Sequence, residues 1–555
     1  MGGKVGRWRE RRALWGRGAP CRVGVLCCGV SLFGLTASAY AVGPDSPSTF
    51  GQPALGGAPA SVGAPYTTSA GPGASTGALG AGGGKLSMRL VPSVSVGETY
   101  NDNVNLDPKG QAKSDFITTV SPALNLAIQG SRVKLDLSYN PQELIFAKGT
   151  TADHLQQRLQ GTGHSEIVPE TLFFDATSSI DQEFVSNKGP IASTTLTSNN
   201  NLQTVYAETA TPYMLQHLGS YMDSETRYRY SSVSTSGNQV APETIHEGLQ
   251  KFTGGPFFGR LSWSVTADWN LIERGTSPGD AFSNTESKDE LGRADFRYPV
   301  YEALSLIVGG GYERITDPSL SSQPSGLVWS AGFQYQPNPK ILYTLTYGRR
   351  FNQTDIELHS THLVTPQLTV RTEYSKVIQT GQSQLAANLA QLGTGPNGIF
   401  INTQTGQVFV LGNTTSGSSS SAFGITSGSF LQTRTEADAT FTSGRNSYFA
   451  TVYETKESGN SGTISAEKIR GGSVSWNRQL WPDLSSNLGG AYNHNIFEDN
   501  SGRTDDFYSA FFGLNYNFGR DASANLSISR SDTESNIATN SVANDIITVS
   551  LQKKF

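Results

Sequence analysis

The chain has 555 residues, 36% of them hydrophobic and 16% charged, with a formal net charge of −5. Outside the first 41 positions it holds no run of 18 apolar residues, which excludes a membrane-spanning helix but not a barrel, whose strands are apolar only at alternate positions. A mean hydropathy of −0.33 suits that half-apolar pattern, and the acidic balance argues against a nucleic-acid partner.

The first predicted element is a targeting segment. Lys4, Arg7, Arg9, Arg11, Arg12, Arg17 and Arg22 precede an apolar stretch from Val23 to Leu35 and the run Thr36-Ala37-Ser38-Ala39-Tyr40-Ala41. Basic, apolar and small-residue regions in that order define a secretory signal peptide over residues 1–41, cleaved after Ala41 or alternatively after Ala39. Its removal takes away seven basic residues and Glu10, leaving the exported chain near a charge of about −11. Cys21, Cys27 and Cys28 leave with it, so no disulfide and no thiolate metal ligand is expected afterwards. Residues 42–84 are Gly, Ala, Pro, Ser and Thr with almost no charge; such a segment buries too little apolar surface to fold and is expected to be a disordered periplasmic leader. It is too short for a folded plug, which disfavours TonB-type uptake.

From Lys85 the texture changes to period-2 alternation in segments of roughly 9 to 15 residues. Trp263, Val265, Ala267, Trp269 and Leu271 share one face of a strand whose other face is Ser262, Ser264, Thr266, Asp268 and Asn270. Val133, Leu135, Leu137 and Tyr139 against Lys134, Asp136, Ser138 and Asn140 repeat the arrangement, as do Phe512, Leu514, Tyr516 and Phe518 against Gly513, Asn515 and Asn517. A soluble sandwich alternates too. Connection lengths favour the membrane: tight turns at Gly130-Ser131, Val168-Pro169-Glu170, Leu218-Gly219-Ser220, Pro299 to Ala303, Pro337 to Lys340, Thr365-Pro366-Gln367, Trp481-Pro482-Asp483 and Arg520-Asp521 alternate with longer polar loops. Tyr298, Tyr301, Tyr335, Tyr343, Trp481, Tyr516 and Phe518 cluster beside those turns, where an interfacial girdle lies.

A first count gives an odd number of strands, and parity fails between Ile341 and Phe430. Reading Ile341 to Arg350 as rising, Ile356 to Val364 as descending and Leu368 to Ile378 as rising repairs it. The expectation is an all-β fold in which residues 85–555 form a single large antiparallel transmembrane β-barrel of about 22 strands, within roughly 20 to 24, with both termini periplasmic in the outer membrane. The longest outer loop, Gln379 to Ser429, contains a candidate hairpin from Ile399 to Leu411 and either folds into the lumen or binds something outside. The last strand ends in Phe555 with Leu551, Val549 and Ile547 at alternating positions, the pattern of a closing strand read by the barrel assembly machinery. Lys553 breaks that pattern but, near the interface, can snorkel.

Three stretches carry a more specific resemblance. Val91-Pro92-Ser93-Val94-Ser95-Val96-Gly97-Glu98-Thr99-Tyr100-Asn101-Asp102-Asn103-Val104, then Lys113-Ser114-Asp115-Phe116-Ile117-Thr118-Thr119-Val120-Ser121-Pro122, then Arg132-Val133-Lys134-Leu135-Asp136-Leu137-Ser138-Tyr139 resemble the PEP-CTERM system-associated outer-membrane protein family. Leu368 to Thr380 and Thr433 to Tyr453 look like the same family, and the broader likeness is to barrel porins of exopolysaccharide and exosortase clusters. The resemblance implies an outer-membrane location and a link to export of polysaccharide or of sorting products; it brings no catalytic residue.

Candidate lumen-lining charges come in mixed sets: Glu225, Arg227 and Arg229; Arg293, Asp295 and Arg297; Arg371 and Glu373; Arg434, Glu436 and Asp438. They either line a hydrated path for polar or sugar-like solutes or pair across the inner wall and stiffen it. Asn101-Asp102-Asn103-Val104-Asn105-Leu106-Asp107 gathers oxygens that suit a weak calcium site, but Asn and Asp are equally the ordinary residues of outer turns. His154, His164, His217, His246, His359, His362 and His494 are scattered, and His359 and His362 fall on opposite strand faces, so no catalytic residue, metal site or cofactor is assigned. The expected partners are outer-membrane lipid and the assembly machinery, with polysaccharide and secretion-system proteins implied by the resemblance. A channel is the leading expectation, a non-conducting scaffold the second and a rim hydrolase the third.

Overall fold

Alternation becomes a wall at Ser87. A computed structural model describes residues 86–555 except 187, 238, 279, 321, 391, 395–399, 403–424, 426–427, 459–465 and 499–500. The signal peptide and the leader expected over residues 1–84 therefore lie outside the described residues, as does most of the candidate hairpin from Ile399 to Leu411.

Twenty-two antiparallel strands close on themselves. The first eight are β1 (Ser87–Asn101), β2 (Asp115–Gln129), β3 (Val133–Tyr139 and Gln142–Phe146), β4 (His154–Gln156 and Leu159–Val168), β5 (Leu172–Phe184), β6 (Leu202–Leu218), β7 (Met222–Thr235) and β8 (Glu243–Gly254). Seven more follow: β9 (Ser262–Arg274), β10 (Glu286–Tyr301), β11 (Leu304–Thr316), β12 (Ser325–Asn338), β13 (Ile341–Arg350), β14 (Gln353–Thr365) and β15 (Leu368–Gln379). Beyond the long loop come β16 (Phe430–Ser443), β17 (Asn446–Ser458), β18 (Ala466–Trp481), β19 (Leu484–Glu498), β20 (Thr504–Phe518), β21 (Ala522–Ser535) and β22 (Val542–Lys554). Each pairs with its sequence neighbour, and β22 pairs with β1 from Ser93 against Lys554 to Asn101 against Ile546. None of these twenty-two strands is left with a bare edge, so their backbone donors and acceptors are satisfied inside the sheet, as hydrocarbon requires. β3 and β4 are each broken once at matching heights: Pro141 has no N–H for the ladder, and Asn140 instead donates its backbone N–H to the Arg158 carbonyl at 2.8 Å.

The twenty-two strands match the number expected from the sequence, and parity between Ile341 and Phe430 turns on one short connection. β13 and β14 are joined at the long-loop end by two residues only, Phe351 and Asn352, with φ of 53° and 57°. That is the left-handed turn hairpins favour, made here without glycine. Phe351 is held there by burial against Ile315 and Leu320 and by the Arg350 guanidinium 4.4 Å over its ring. All eight expected tight turns fall between strands at one end, joined by Gly444-Arg445 and by Gly255 to Leu261, which carries a 3-10 turn at Pro256–Phe258. Both strand termini, Ser87 and Lys554, sit at this short-turn end.

The outward face is apolar and bare. Leu327 is 78% and Val308 57% exposed, and Tyr298, Tyr301, Trp481 and Phe518 stand exposed beside the short turns. A second ring unforeseen from the sequence, including Tyr312, Trp329, Tyr492 and Tyr508, lies toward the loops. Tyr516 and Tyr508 of β20 are eight residues apart, which on a strand tilted by roughly 40° is about 20 Å along the axis, the height of an outer-membrane belt. The closing strand shows the same face: Ile547, Val549 and Leu551 are exposed between β21 and β1, and the ammonium of Lys553 reaches Asp521 of a short turn at 3.9 Å. That reach is how a lysine is accommodated at the belt's edge.

Candidate functional site in the barrel lumen

Cross-strand register carries one parity around the whole barrel, so the inward set can be followed strand by strand. All eleven candidate charges fall on it. Glu225, Arg227 and Arg229 of β7 lie in register with Lys251, Leu249 and Glu247 of β8, and Arg371 and Glu373 of β15 face Asp438 and Glu436 of β16.

Most of these charges are already partnered. Arg227 meets Glu225 at 2.6 Å and lies 4.7 Å over the Tyr213 ring. Arg293 meets Asp295 at 2.8 Å, Arg229 pairs with Glu247, and Arg434 pairs with Glu436. Arg297 donates to Gln334 at 2.8 Å, while Asp438 accepts from Thr451 at 2.6 Å. Arg350 and Glu313, not singled out from the sequence, join at 2.6 Å with side chains only 7% and 3% exposed. Once such pairs are desolvated, removing one member strands the other, so they rigidify the wall more than they offer free charge.

At the loop end, described residues of several loops pack against the inner wall. Val104 and Leu196, from the β1–β2 and β5–β6 loops, pack with Ile117, Leu144 and Phe146. The long loop opens with helix α1 (Gly381–Ala390), missed in the sequence although Thr380 and Ser383 form a reciprocal cap, each backbone N–H bonded to the other's hydroxyl at 2.9 Å. The structure places a small hairpin of Leu392–Thr394 and Phe400–Asn402 just after it, upstream of most of the stretch expected to form one. Ala386 of α1 is packed into a cluster with Val205 and Ala207 of β6, Val233 of β7, Ile245 of β8 and Ile272 of β9. These wall residues are inward-facing and apolar, capping strands whose inward faces are polar below them, and the switch marks where the loop seats. The described start of the long loop thus folds inward.

One buried cation ties both stems of that loop to the opposite wall. Arg274, at the end of β9 with its side chain fully buried, lies 3.4 Å from Glu243 of β8 and 3.3 Å from Asp317 of the β11–β12 loop. It donates to the Ser429 hydroxyl at 3.0 Å, at the loop's exit, while Thr380 at its entry donates to Glu243 at 2.7 Å. Gln382 adds a bond to the Ala241 carbonyl at 2.8 Å. Burial alone would push the Asp317 carboxyl up, but the Arg274 charge and hydrogen bonds from Ser287, Ser319 and Ser429 hold it below the usual carboxylate range.

The asparagine-rich first loop has another use for its oxygens. Asn101 Oδ1 accepts from the Asn103 N–H at 2.8 Å and from the Asn544 amide at 2.7 Å, and Asn103 donates to the Ala543 carbonyl at 2.9 Å. These bonds staple the loop to β22 across the closing seam, and Asn101, Asp102 and Asn103 each have a side-chain oxygen that accepts an N–H group. Among the described residues no group of three His, Cys, Asp or Glu side chains could hold a metal ion. His164 pairs with Asp175 at 2.6 Å, His494 with Asp506 at 2.9 Å, and His246 with the Tyr228 hydroxyl at 2.7 Å.

Residues 420–555 match the family model described as "Putative beta-barrel porin 2". No curated protein matches. Among solved structures, the siderophore receptor PirA from Acinetobacter baumannii superposes with a TM-score of 0.45 at 10% identity, over 84% of this chain and 80% of that one. The FrpB iron transporter from Neisseria meningitidis gives 0.46 at 11%, covering 84% and 82%, and the ferric-catecholate import receptor Fiu from E. coli K12 gives 0.46 at 10%, covering 86% and 82%. The chain is a porin-like β-barrel of the outer membrane.

Proposed function

We propose that the protein is an outer-membrane channel, closed at its loop end in the state described, that passes exopolysaccharide or another envelope product of a PEP-CTERM and exosortase-linked system. The observation that supports the channel is a mainly polar inner face with the start of the long loop, through Ala386, seated against the wall at the loop end. The product class comes from the family resemblance of β1 to β3. In this reading the signal peptide exports the chain, residues 42–84 trail in the periplasm with both strand termini, and the long loops face outward. The lumen-facing charges act mainly as paired struts, with solutes passing between them.

Planar-bilayer conductance of the purified barrel tests this. Wild type is expected to show small or infrequent openings, and removal of residues 381–428 is expected to enlarge them several-fold. A barrel that stays sealed under every voltage, with and without the loop, ends the channel reading. Loops packed on the inner wall also favour a second reading, a non-conducting scaffold whose loops recruit secretion or sorting partners. Loop removal that abolishes partner capture while conductance stays unchanged would establish that instead. A rim hydrolase is the weakest alternative.

We also propose that Ile547, Val549, Leu551 and Phe555 present the signal read by the barrel assembly machinery, since the structure leaves all four exposed at the closing seam. Phe555→Ala is expected to reduce heat-modifiable, folded protein in the outer membrane several-fold, while Gln552→Ala, on the inward face, leaves it unchanged.

A further inference from the structure

The inner wall is chemically divided. The inward charges described above lie on β7 to β16. Followed onward through β17 to β22 and into β1 and β2, the inward positions carry carboxylates only at the loop rim, at Glu457, Glu467, Asp505 and Asp115, and cations only at Arg89 and Lys554, at the short-turn end. Between those limits the polar side chains of this arc are hydroxyls and amides.

Four of the amides are adjacent. Asn477 of β18 is the cross-strand partner of Asn487 of β19, and Asn515 of β20 is the partner of Asn525 of β21. Asn487 lies in register with Gly513, two residues from Asn515, so the four occupy consecutive strands at nearly one level. Gly513 makes room for this: a Cβ there would stand 2.1 Å from Asn487 Oδ1, so the amide can lie along the wall only because that position is glycine. Asn477, Asn487 and Asn525 are exposed although inward, and Asn515 is half-exposed. They sit in the part of the lumen nearer the short turns, below the seated loops. A wall meant only to be stiff would pair such groups, as the charged arc does.

We propose that these four asparagines form a contact track for a neutral, polyhydroxylated chain, a glycan without carboxylate or phosphate groups, entering from the short-turn end. An uncharged amide offers a donor pair and an acceptor together, matching hydroxyls that also do both. It imposes no ionic desolvation cost on a neutral chain passing by, whereas a polyanion gains nothing from it. Several weak contacts on successive strands suit a chain that must slide rather than lodge. The inference rests on the channel reading and refines its substrate class.

The test titrates purified full-length barrel with dextran oligomers and, separately, with oligogalacturonate of the same length, alongside bilayer conductance with the oligomers added from the short-turn side. Dextran is expected to bind and to reduce conductance reversibly, with oligogalacturonate at least ten-fold weaker. Replacing Asn477, Asn487, Asn515 and Asn525 together by alanine, with heat-modifiability retained, is expected to weaken dextran binding at least ten-fold. A second variant, Asn487→Asp with Asn525→Asp, is expected to weaken dextran and make the current cation-selective. Dextran that fails to bind, oligogalacturonate that binds as tightly, or a quadruple variant that binds as wild type overturns the proposal. Dextran binding that follows the asparagines in a barrel that never conducts instead removes the channel and leaves the track as a binding site.

Discussion

Replacing Arg274 with alanine is expected to unseat the long loop and raise channel conductance several-fold. The substitution removes the only cation bridging Glu243 and Asp317 among the described contacts and breaks the bond to Ser429, leaving two carboxylates facing each other in a buried site. Breaking a buried pair from one side costs about 3–5 kcal/mol. That is roughly two to nearly four orders of magnitude in the ratio of seated to released loop, enough to move a nearly always closed mouth to one often open. Limited proteolysis of the 380–429 loop should accelerate in parallel, while heat-modifiability on gels stays at the wild-type level because the strands are unaffected. Arg274→Lys keeps the charge but not the planar fork and should fall between the two. The same cluster sets a pH limit. Because Asp317 titrates below its ordinary value, its contribution to seating the loop is complete above about pH 4 and is lost only as the pH falls through the lower folded value, so protonation of Asp317 does not release the loop in mild acid. Proteolysis and conductance both unchanged in Arg274→Ala would show that the loop is held by other contacts.

What was legible in the sequence was whatever a single strand must do to face two solvents. Trp263 to Leu271 and Ser262 to Asn270 separate onto opposite faces because one meets hydrocarbon and the other water, and neither requirement depends on distant chain. The short turns were legible for a similar local reason, since Pro169, Pro366 and Pro482 cannot continue a ladder. The Phe351-Asn352 turn is hard to read because its left-handed conformation comes without glycine and is enforced by burial against Ile315 at the end of β11 and Leu320 of the loop after it, a contact between segments distant in sequence. Arg274, Glu243, Asp317, Thr380 and Ser429 were illegible as a group: each alone is an ordinary polar residue near a strand end, and only closure of the barrel brings them together. One local sign was available. The inward face of β9 runs Ser262, Ser264, Thr266, Asp268, Asn270 and then Ile272, and an apolar residue entering a polar face near the rim announces something that covers it. The uncharged arc could also have been read, by listing inward positions strand by strand once the register was assumed.

Gly348→Ala is expected to prevent most of the chain from reaching the folded, heat-modifiable state. A methyl group at this inward position of β13 would stand 1.9 Å from the Trp329 carbonyl oxygen, and the obstacle is neighbouring backbone, which has no rotamer to change. Gly332 of β12 and Gly311 of β11 are placed alike, at 2.0 Å from the Leu345 oxygen and 2.2 Å from the Gly292 oxygen. Three adjacent strands with glycine on the concave side mark a corner where the sheet coils too tightly for an inward Cβ. Ordinary overpacking costs about 1–3 kcal/mol when side chains can move aside; here the ladder between β12 and β13 must shift, and with it the closed wall. Gly292→Ala is the matched control, because Gly292 lies on the convex, lipid-facing side of the same corner and an added Cβ there meets nothing within 4 Å. Gel mobility of unheated outer-membrane fractions separates the two: Gly292→Ala should assemble as wild type, and Gly348→Ala should fall at least ten-fold. Equal assembly of both variants would mean that the corner relaxes freely, and the tight coil would then owe nothing to its glycines.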